Sequence, residues 1–171
     1  VSSTVVWNAK GSTDASGNWS VGVPASVISG LADGTVTISA TLTDSAGNSS
    51  TQTHNVQVNT AAVSLSVSTI SGDNIINAAE AGSALTLSGT GTNLAAGTVV
   101  TVLLNGKGYS ATIQNNGSWS VNVPAADVAA LADGTIYTVS ASAQDSAGNS
   151  ATASRSVAVD LTAPVISINT V

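Results

Sequence analysis

Cysteine, methionine and phenylalanine are absent from the chain, and only 3% of its residues are aromatic. Without cysteine there is no disulfide and no thiolate metal site, and the redox compartment stays undetermined. Charge is scarce too: 7% of residues are charged, and three basic ones, Lys10, Lys107 and Arg155, stand against nine acids for a net charge of −6. No basic patch exists to neutralise phosphates, which argues against nucleic acid and against an anionic membrane surface as partners. No apolar run approaches the ~20 residues of a membrane helix, so no membrane insertion is expected. The opening "VSSTVVWNAK" has no initiator methionine, basic segment or apolar signal core, and reads as part of a longer chain.

What the chain does contain is threonine, serine, alanine, valine and glycine. β-branched residues favour strands, and scattered Gly, Asn and Asp favour turns, so the prior is all-β. Apolar residues reach 43%, enough for a core despite the low complexity. The hexapeptide "DSAGNS" occurs at 44–49 and again at 145–150. It anchors a long internal repeat. "GNWSVGVPASVISGLADGT" (17–35) lies over "GSWSVNVPAADVAALADGT" (117–135), and after one inserted residue "SATLTDSAGNSS" lies over "SASAQDSAGNSA". The boundaries follow: residues 60–160 form one complete repeat, 1–59 hold only the later strands of another, and 161–171 begin a third, since "VISINTV" parallels "SLSVSTI".

Period-2 alternation gives the strands. In "WSVNVP", Trp119, Val121 and Val123 face inward, as do Trp19, Val21 and Val23 in the first copy. In "YTVSASA" the inward set is Tyr137, Val139, Ala141 and Ala143, matched upstream by Val36, Ile38, Ala40 and Leu42. Together with 63–70, 84–88, 98–104, 109–114 and the last strand through Val157 and Val159, these make seven strands in the complete repeat. Seven short strands separated by turns describe tandem immunoglobulin-like β-sandwiches. A short helical turn is expected after Pro124.

"DGTIYTVSASAQDSAGNSATASRSVAVDLTAP" and "SGDNIINAAEA" resemble the bacterial Ig-like repeats of giant surface adhesins and biofilm-associated proteins. That resemblance implies tandem domains on an extracellular or cell-surface fibre, exported by a Gram-negative bacterium and rigidified by calcium between domains. Neighbouring repeats of the same chain are then the main partners. The first linker departs from the pattern, reading "NTAAV", with Asn59 and Val63 where the second has Asp160 and Pro164.

Acids held in loops suit a hard cation such as Ca²⁺, which takes six to eight oxygens. If the strands alternate up and down, Asp73, Asn74, Glu80, Asp133 and Asp160 gather at the end where the chain leaves the repeat. Asp145 and Asn149 gather at the end where it enters. The metal set is therefore Asp73, Asn74, Glu80, Asp145, Asn149 and Asp160. For Asp145 a turn-capping role stands beside metal ligation, and the two are compatible. Asp33 and Asp133, in "LADGT", read as turn residues rather than ligands.

Catalysis finds little support. The only histidine, His54, is replaced by Arg155 in the second copy, and no nucleophile motif or recurring acid pair is present. Trp19 and Trp119 stand in phase with inward valines and read as core residues rather than as sugar-stacking platforms. The leading reading is a spacer or stalk segment of an adhesin or biofilm matrix protein. The alternatives are an Ig-like module binding glycan or protein, and an accessory module of an extracellular hydrolase. Residues 1–59 lack the strands corresponding to about 63–104, so their inward faces need cover, by strand-sharing or self-association with another chain or within a longer fibre.

Overall fold

The computed structural model describes residues 7–169. Residues 1–6 and the last two, Thr170 and Val171, lie outside them, and with them the outermost parts of the first and third repeat segments. The chain divides into two units, Val1–Ala61 and Ala62–Val171.

In the first unit a helical turn, α1 (Ala25–Ile28), is followed by a hairpin of β1 (Gly34–Thr43) and β2 (Ser49–Val58). The strands pair antiparallel without a break from Gly34↔Val58 to Thr43↔Ser49. Alternation sorts the two faces. Thr35, Thr37, Ser39 and Thr41 oppose Gln57, Asn55, Thr53 and Thr51, and side-chain hydrogen bonds link Thr37 to Asn55 and Thr41 to Thr51. The other face carries Val36, Ile38, Ala40, Leu42, Val56 and Val58, and no described residue of this unit is buried.

The strand expected at "WSVGVP" does not form, and Trp19 is 56% exposed rather than in a core. In the second unit the equivalent strand bonds to residues 85–92. Among the described residues of the first unit, no strand pairs with 19–23 and the β1-β2 hairpin is the sheet present.

The second unit contains β3 (Ser64–Leu65), β4 (Ile75–Asn77), β5 (Leu85–Thr92), β6 (Val99–Leu104), β7 (Lys107–Thr112), β8 (Ser118–Val123), α2 (Ala125–Val128), β9 (Ile136–Gln144) and β10 (Ser150–Asp160). They form a five-stranded sheet, β4-β10-β9-β6-β7, and a three-stranded sheet, β3-β5-β8. The architecture is the expected all-β sandwich. Among the described residues the second unit has eight strands rather than seven, because three residues of the "DNIINAAE" loop pair parallel with the end of β10, Ile75 with Ala158 and Asn77 with Asp160.

Inward residues of the two sheets meet in one core. Val67, Leu87, Trp119 and Val123 come from the smaller sheet and its flanks, and Val100, Val102, Val139, Ala141, Val157 and Val159 from the larger. Val128 of α2 and Leu131 are buried between them. Pro124 sets the extended backbone from which α2 begins, and the buried Val128 anchors that turn in the crossing between the sheets. At the start of β9, the Tyr137 hydroxyl accepts the Ala132 backbone N–H at 2.9 Å. Such a tyrosine hydroxyl bonded to the backbone a few residues upstream fixes the corner where the chain changes sheets.

Residues 161–169 carry no strand, and Val165, Ile166 and Ile168 are at least 90% exposed. Among the described residues no strand pairs with this segment.

Candidate functional site

The strand order places the loops as the alternation requires. β4 runs beside the last residues of β10, so the 71–83 loop lies where the chain leaves the second unit. The "LADGT" turn reaches the same place, with the Gly134 N–H donating to the Val159 carbonyl and the Val159 N–H to the Thr135 carbonyl.

Asp133 does more than shape its turn. Its Oδ1 accepts the Leu161 backbone N–H at 2.7 Å, and its Oδ2 accepts the Thr162 hydroxyl at 2.8 Å. The equivalent Asp33 does the same in the first unit, where Oδ1 accepts both the backbone N–H and the hydroxyl of Thr60, at 2.7 and 2.6 Å. These lengths belong to charge-assisted bonds. Hydrogen bonding holds both carboxyls below the usual carboxylate range, chiefly the Leu161 N–H for Asp133 and the Thr60 hydroxyl for Asp33. The turn reading of these residues captured their backbone and missed their partners, 27 residues away for Asp33 and 28 for Asp133.

The six predicted metal ligands are each engaged locally. Asp73 Oδ1 accepts the Ile75 N–H, and Asn74 Oδ1 accepts the Ile70 N–H from a left-handed residue with φ of 66°. Glu80 Oε2 accepts the Asn77 N–H while Asn77 Oδ1 accepts from Ala79 and Glu80, a reciprocal cap of the turn. Asp160 Oδ1 accepts the Thr162 N–H. Asn59, at the equivalent place, accepts the Ala61 N–H in the same manner, so that turn does not need a negative charge.

Asp145 and Asn149 close one turn. Asp145 Oδ1 accepts the Ala147 and Asn149 N–H groups, its Oδ2 accepts from Asn149 Nδ2, and Gly148 takes φ of 95°. The Asn149 amide leads the bonds that hold this carboxyl low. Asp44 and Asn48 repeat the arrangement bond for bond. A third example, outside the repeated hexapeptide, is "DASGN", where Asp14 accepts from Ser16 and from both nitrogens of Asn18. The shared signal is Asp-x-x-Gly-Asn.

The profile of the bacterial Ig-like domain family matches residues 57–161. This chain belongs to that family. Solved adhesin structures agree. The chain is similar to a segment of a 1.5-MDa bacterial ice-binding adhesin described for host cell surface retention, at 36% identity and a TM-score of 0.50, over 88% of this chain and 49% of that one. It is similar to a Ca²⁺-stabilized adhesin with which an Antarctic bacterium binds ice, at 34% identity and 0.50, over 86% and 36%. A tetra-tandem repeat from the extending region of a large adhesion protein gives 32% and 0.51, over 86% and 40%. The chain thus spans half or less of each of these solved segments. No curated protein sequence matches it.

Within the Ig-like repeat, the test for calcium is whether its oxygens converge. Among the described residues, no three His, Asp or Glu side chains form a group able to hold a metal ion. Asp73, Glu80 and Asp160 share one end without making such a group, and each has one carboxylate oxygen committed to a backbone N–H. Among the described residues, these carboxylates of the second unit do not by themselves make a complete calcium site.

Two aromatic side chains of the second unit are engaged within the repeat. Trp119 is 1% exposed, and the Tyr109 hydroxyl is turned onto Asp127 at 2.9 Å, beside the ion pair of Asp127 with Lys107. Arg155, the counterpart of His54, donates from Nε to the Val67 carbonyl, a structural bond between β10 and the segment after β3.

Proposed function

We propose that the chain is a spacer segment of a bacterial surface adhesin, standing outside the cell and serving to extend it rather than to perform chemistry. The observation that carries this reading is the repetition of the exit: two Ig-like copies, about a hundred residues apart, end in a last strand held to its linker by an equivalent aspartate. The extending-region and cell-surface relatives support it. A spacer needs each repeat to transmit load to the next through its last strand, and β10 is paired on both sides, by β9 and β4.

Calcium enters this reading as a ligand of junctions. Asp73, Asn74, Glu80 and Asp160 at one end, and Asp145 and Asn149 at the other, would each contribute oxygens, with backbone carbonyls and the adjoining repeat supplying the rest. The Ca²⁺-stabilized relative supports the ion's identity.

Thermal unfolding of the chain in chelator, then with Ca²⁺ or Mg²⁺ added, tests the metal. A calcium-selective rise of the midpoint that grows with free ion is expected, and an unchanged midpoint would remove calcium from the sites this chain can complete without the following repeat. Glycan and protein binding assays test the spacer itself. No saturable binding is expected, and a saturable ligand would make the chain a binding module instead.

A further inference from the structure

The two linkers offer an observation that neither a metal nor the spacer reading requires. After β2 the chain runs Asn59-Thr60-Ala61, and the equivalent stretch at the end of β10 runs Asp160-Leu161-Thr162, so the hydroxyl residue stands one place later in the second. The preceding carboxylate nonetheless holds a backbone N–H and a threonine hydroxyl in both. In the first unit Thr60 supplies both donors. In the second, Leu161 supplies the N–H and Thr162 the hydroxyl, the second carboxylate oxygen taking up the displacement. The shared element is a two-donor grip, and the sequence varies around it.

We infer that Asp33 and Asp133 are clasps which fix the course of the linker as it leaves each Ig-like unit, with no metal ion taking part. Three features make the clasp effective. Its base is rigid, because Gly134 and Thr135 are tied to Val159 on the neighbouring strand, and in the first unit Gly34 is in register with Val58. The glycine after each aspartate has positive φ, 125° for Gly34 and 70° for Gly134, which turns the backbone back and leaves the carboxylate beside the departing chain. A second pin lies one step away, where Asn59 and Asp160 accept the N–H two residues on. In the second unit, five backbone or hydroxyl donors and acceptors between Val159 and Thr162 are thereby committed before the chain is free to swivel.

Such a clasp differs from a calcium clamp in what removes it. A chelator leaves it intact, whereas loss of one carboxylate opens it. It acts on the residues that leave its own unit and needs no oxygen from the next one. In a tandem array it would give each exit a set direction whether or not the junction holds a cation.

The test is amide exchange by NMR on the ¹⁵N-labelled chain in EDTA, read at Leu161 and Thr60, with Val102 and Val139 as core controls. In the wild type, Leu161 is expected to exchange roughly tenfold more slowly than in Asp133→Ala, the effect of losing about one charge-assisted hydrogen bond. Thr60 should be unaffected by that substitution and respond instead to Asp33→Ala. If Asp133→Ala also exposes the core amides, Thr162→Val decides, since it removes only the hydroxyl arm: faster exchange at Leu161 with an unchanged core supports the clasp, and an unchanged Leu161 overturns it. Equal Leu161 exchange in wild type and a folded Asp133→Ala, or protection that appears only on adding Ca²⁺, overturns it as well. The spacer reading does not depend on this result.

Discussion

Gly89 and Trp119 are cross-strand partners of β5 and β8, and the indole lies where a side chain on Gly89 would be. A Cβ built there meets the indole Cζ2 at 2.7 Å and the Ser66 carbonyl oxygen at 1.9 Å. The missing side chain is what lets the segment after β3 approach β5 and lets the repeat's largest side chain enter the core. Gly89→Ala must displace backbone as well as a ring, so a loss of about 1–3 kcal/mol or more is expected. Denaturant unfolding followed by near-ultraviolet circular dichroism of the buried indole would show it. A variant as stable as the wild type would mean that Ser66 does not sit against β5.

The same tryptophan marks how far the sequence could be read. Alternation placed Trp119 and Val123 in the core correctly, since in the second unit every strand that faces them is present in the chain. Trp19 and Val23 carry the same alternation and lie exposed. Periodicity tells which residues share a face and not whether anything covers that face. β4 escaped notice because three residues give no period, and its pairing with β10 spans more than eighty residues of sequence. Turn chemistry was legible in "DSAGNS" because its partners lie within five residues. The grip of Asp133 on Leu161 was not, for the opposite reason: a carboxylate beside a glycine looks like a turn cap until the far strand is in place.

Tyr109 should titrate late. Burial and the neighbouring Asp127 carboxylate push its hydroxyl from 10.0 up to about 12. Its folded pKa is raised, so the stability it contributes is complete below pH 10 and is lost as pH rises through about 12. Ultraviolet titration of the two tyrosines should therefore resolve Tyr109 as the one that moves down in Asp127→Asn. That substitution also breaks the ion pair with Lys107, which is exposed and contributes little by itself. An alkaline transition identical in wild type and Asp127→Asn would refute the latch between β7 and α2.

Acid should loosen the chain at its turns and linkers before its core. The carboxyls of Asp14, Asp33, Asp44, Asp133 and Asp145 all lie below 3.8 because N–H and hydroxyl donors favour their charged form. With depressed folded values, the stability they contribute is present above pH 3.8 and disappears as pH falls through the folded ones. Amide exchange recorded as pH is lowered should show Leu161, Asn48 and Asn149 losing protection while Val139 and Val157 keep theirs, once intrinsic rates are corrected. Simultaneous loss throughout would mean that the repeat unfolds as one body and that the turns report nothing of their own.

Asp145 separates turn chemistry from metal binding most cleanly, because Asn can replace it in one role and not in the other. In Asp145→Asn the new Oδ1 still accepts the Ala147 and Asn149 N–H groups, and of these three bonds the one from Asn149 Nδ2 is lost, two amide nitrogens then facing each other. Asp145→Ala loses all three. In chelator, the thermal midpoint should therefore fall in the order wild type, Asp145→Asn, Asp145→Ala. Calcium adds the second axis. If Asp145 is a ligand, the wild-type midpoint rises with Ca²⁺ and the Asn variant rises less, since a neutral amide oxygen binds a hard cation more weakly than a carboxylate. Equal calcium responses in the two proteins would leave Asp145 as the keystone of a turn and nothing else. Asp44, which makes the same bonds in the first unit, offers the matching control: substituted in the same way, it should reproduce the chelator series in the local protection of its own turn.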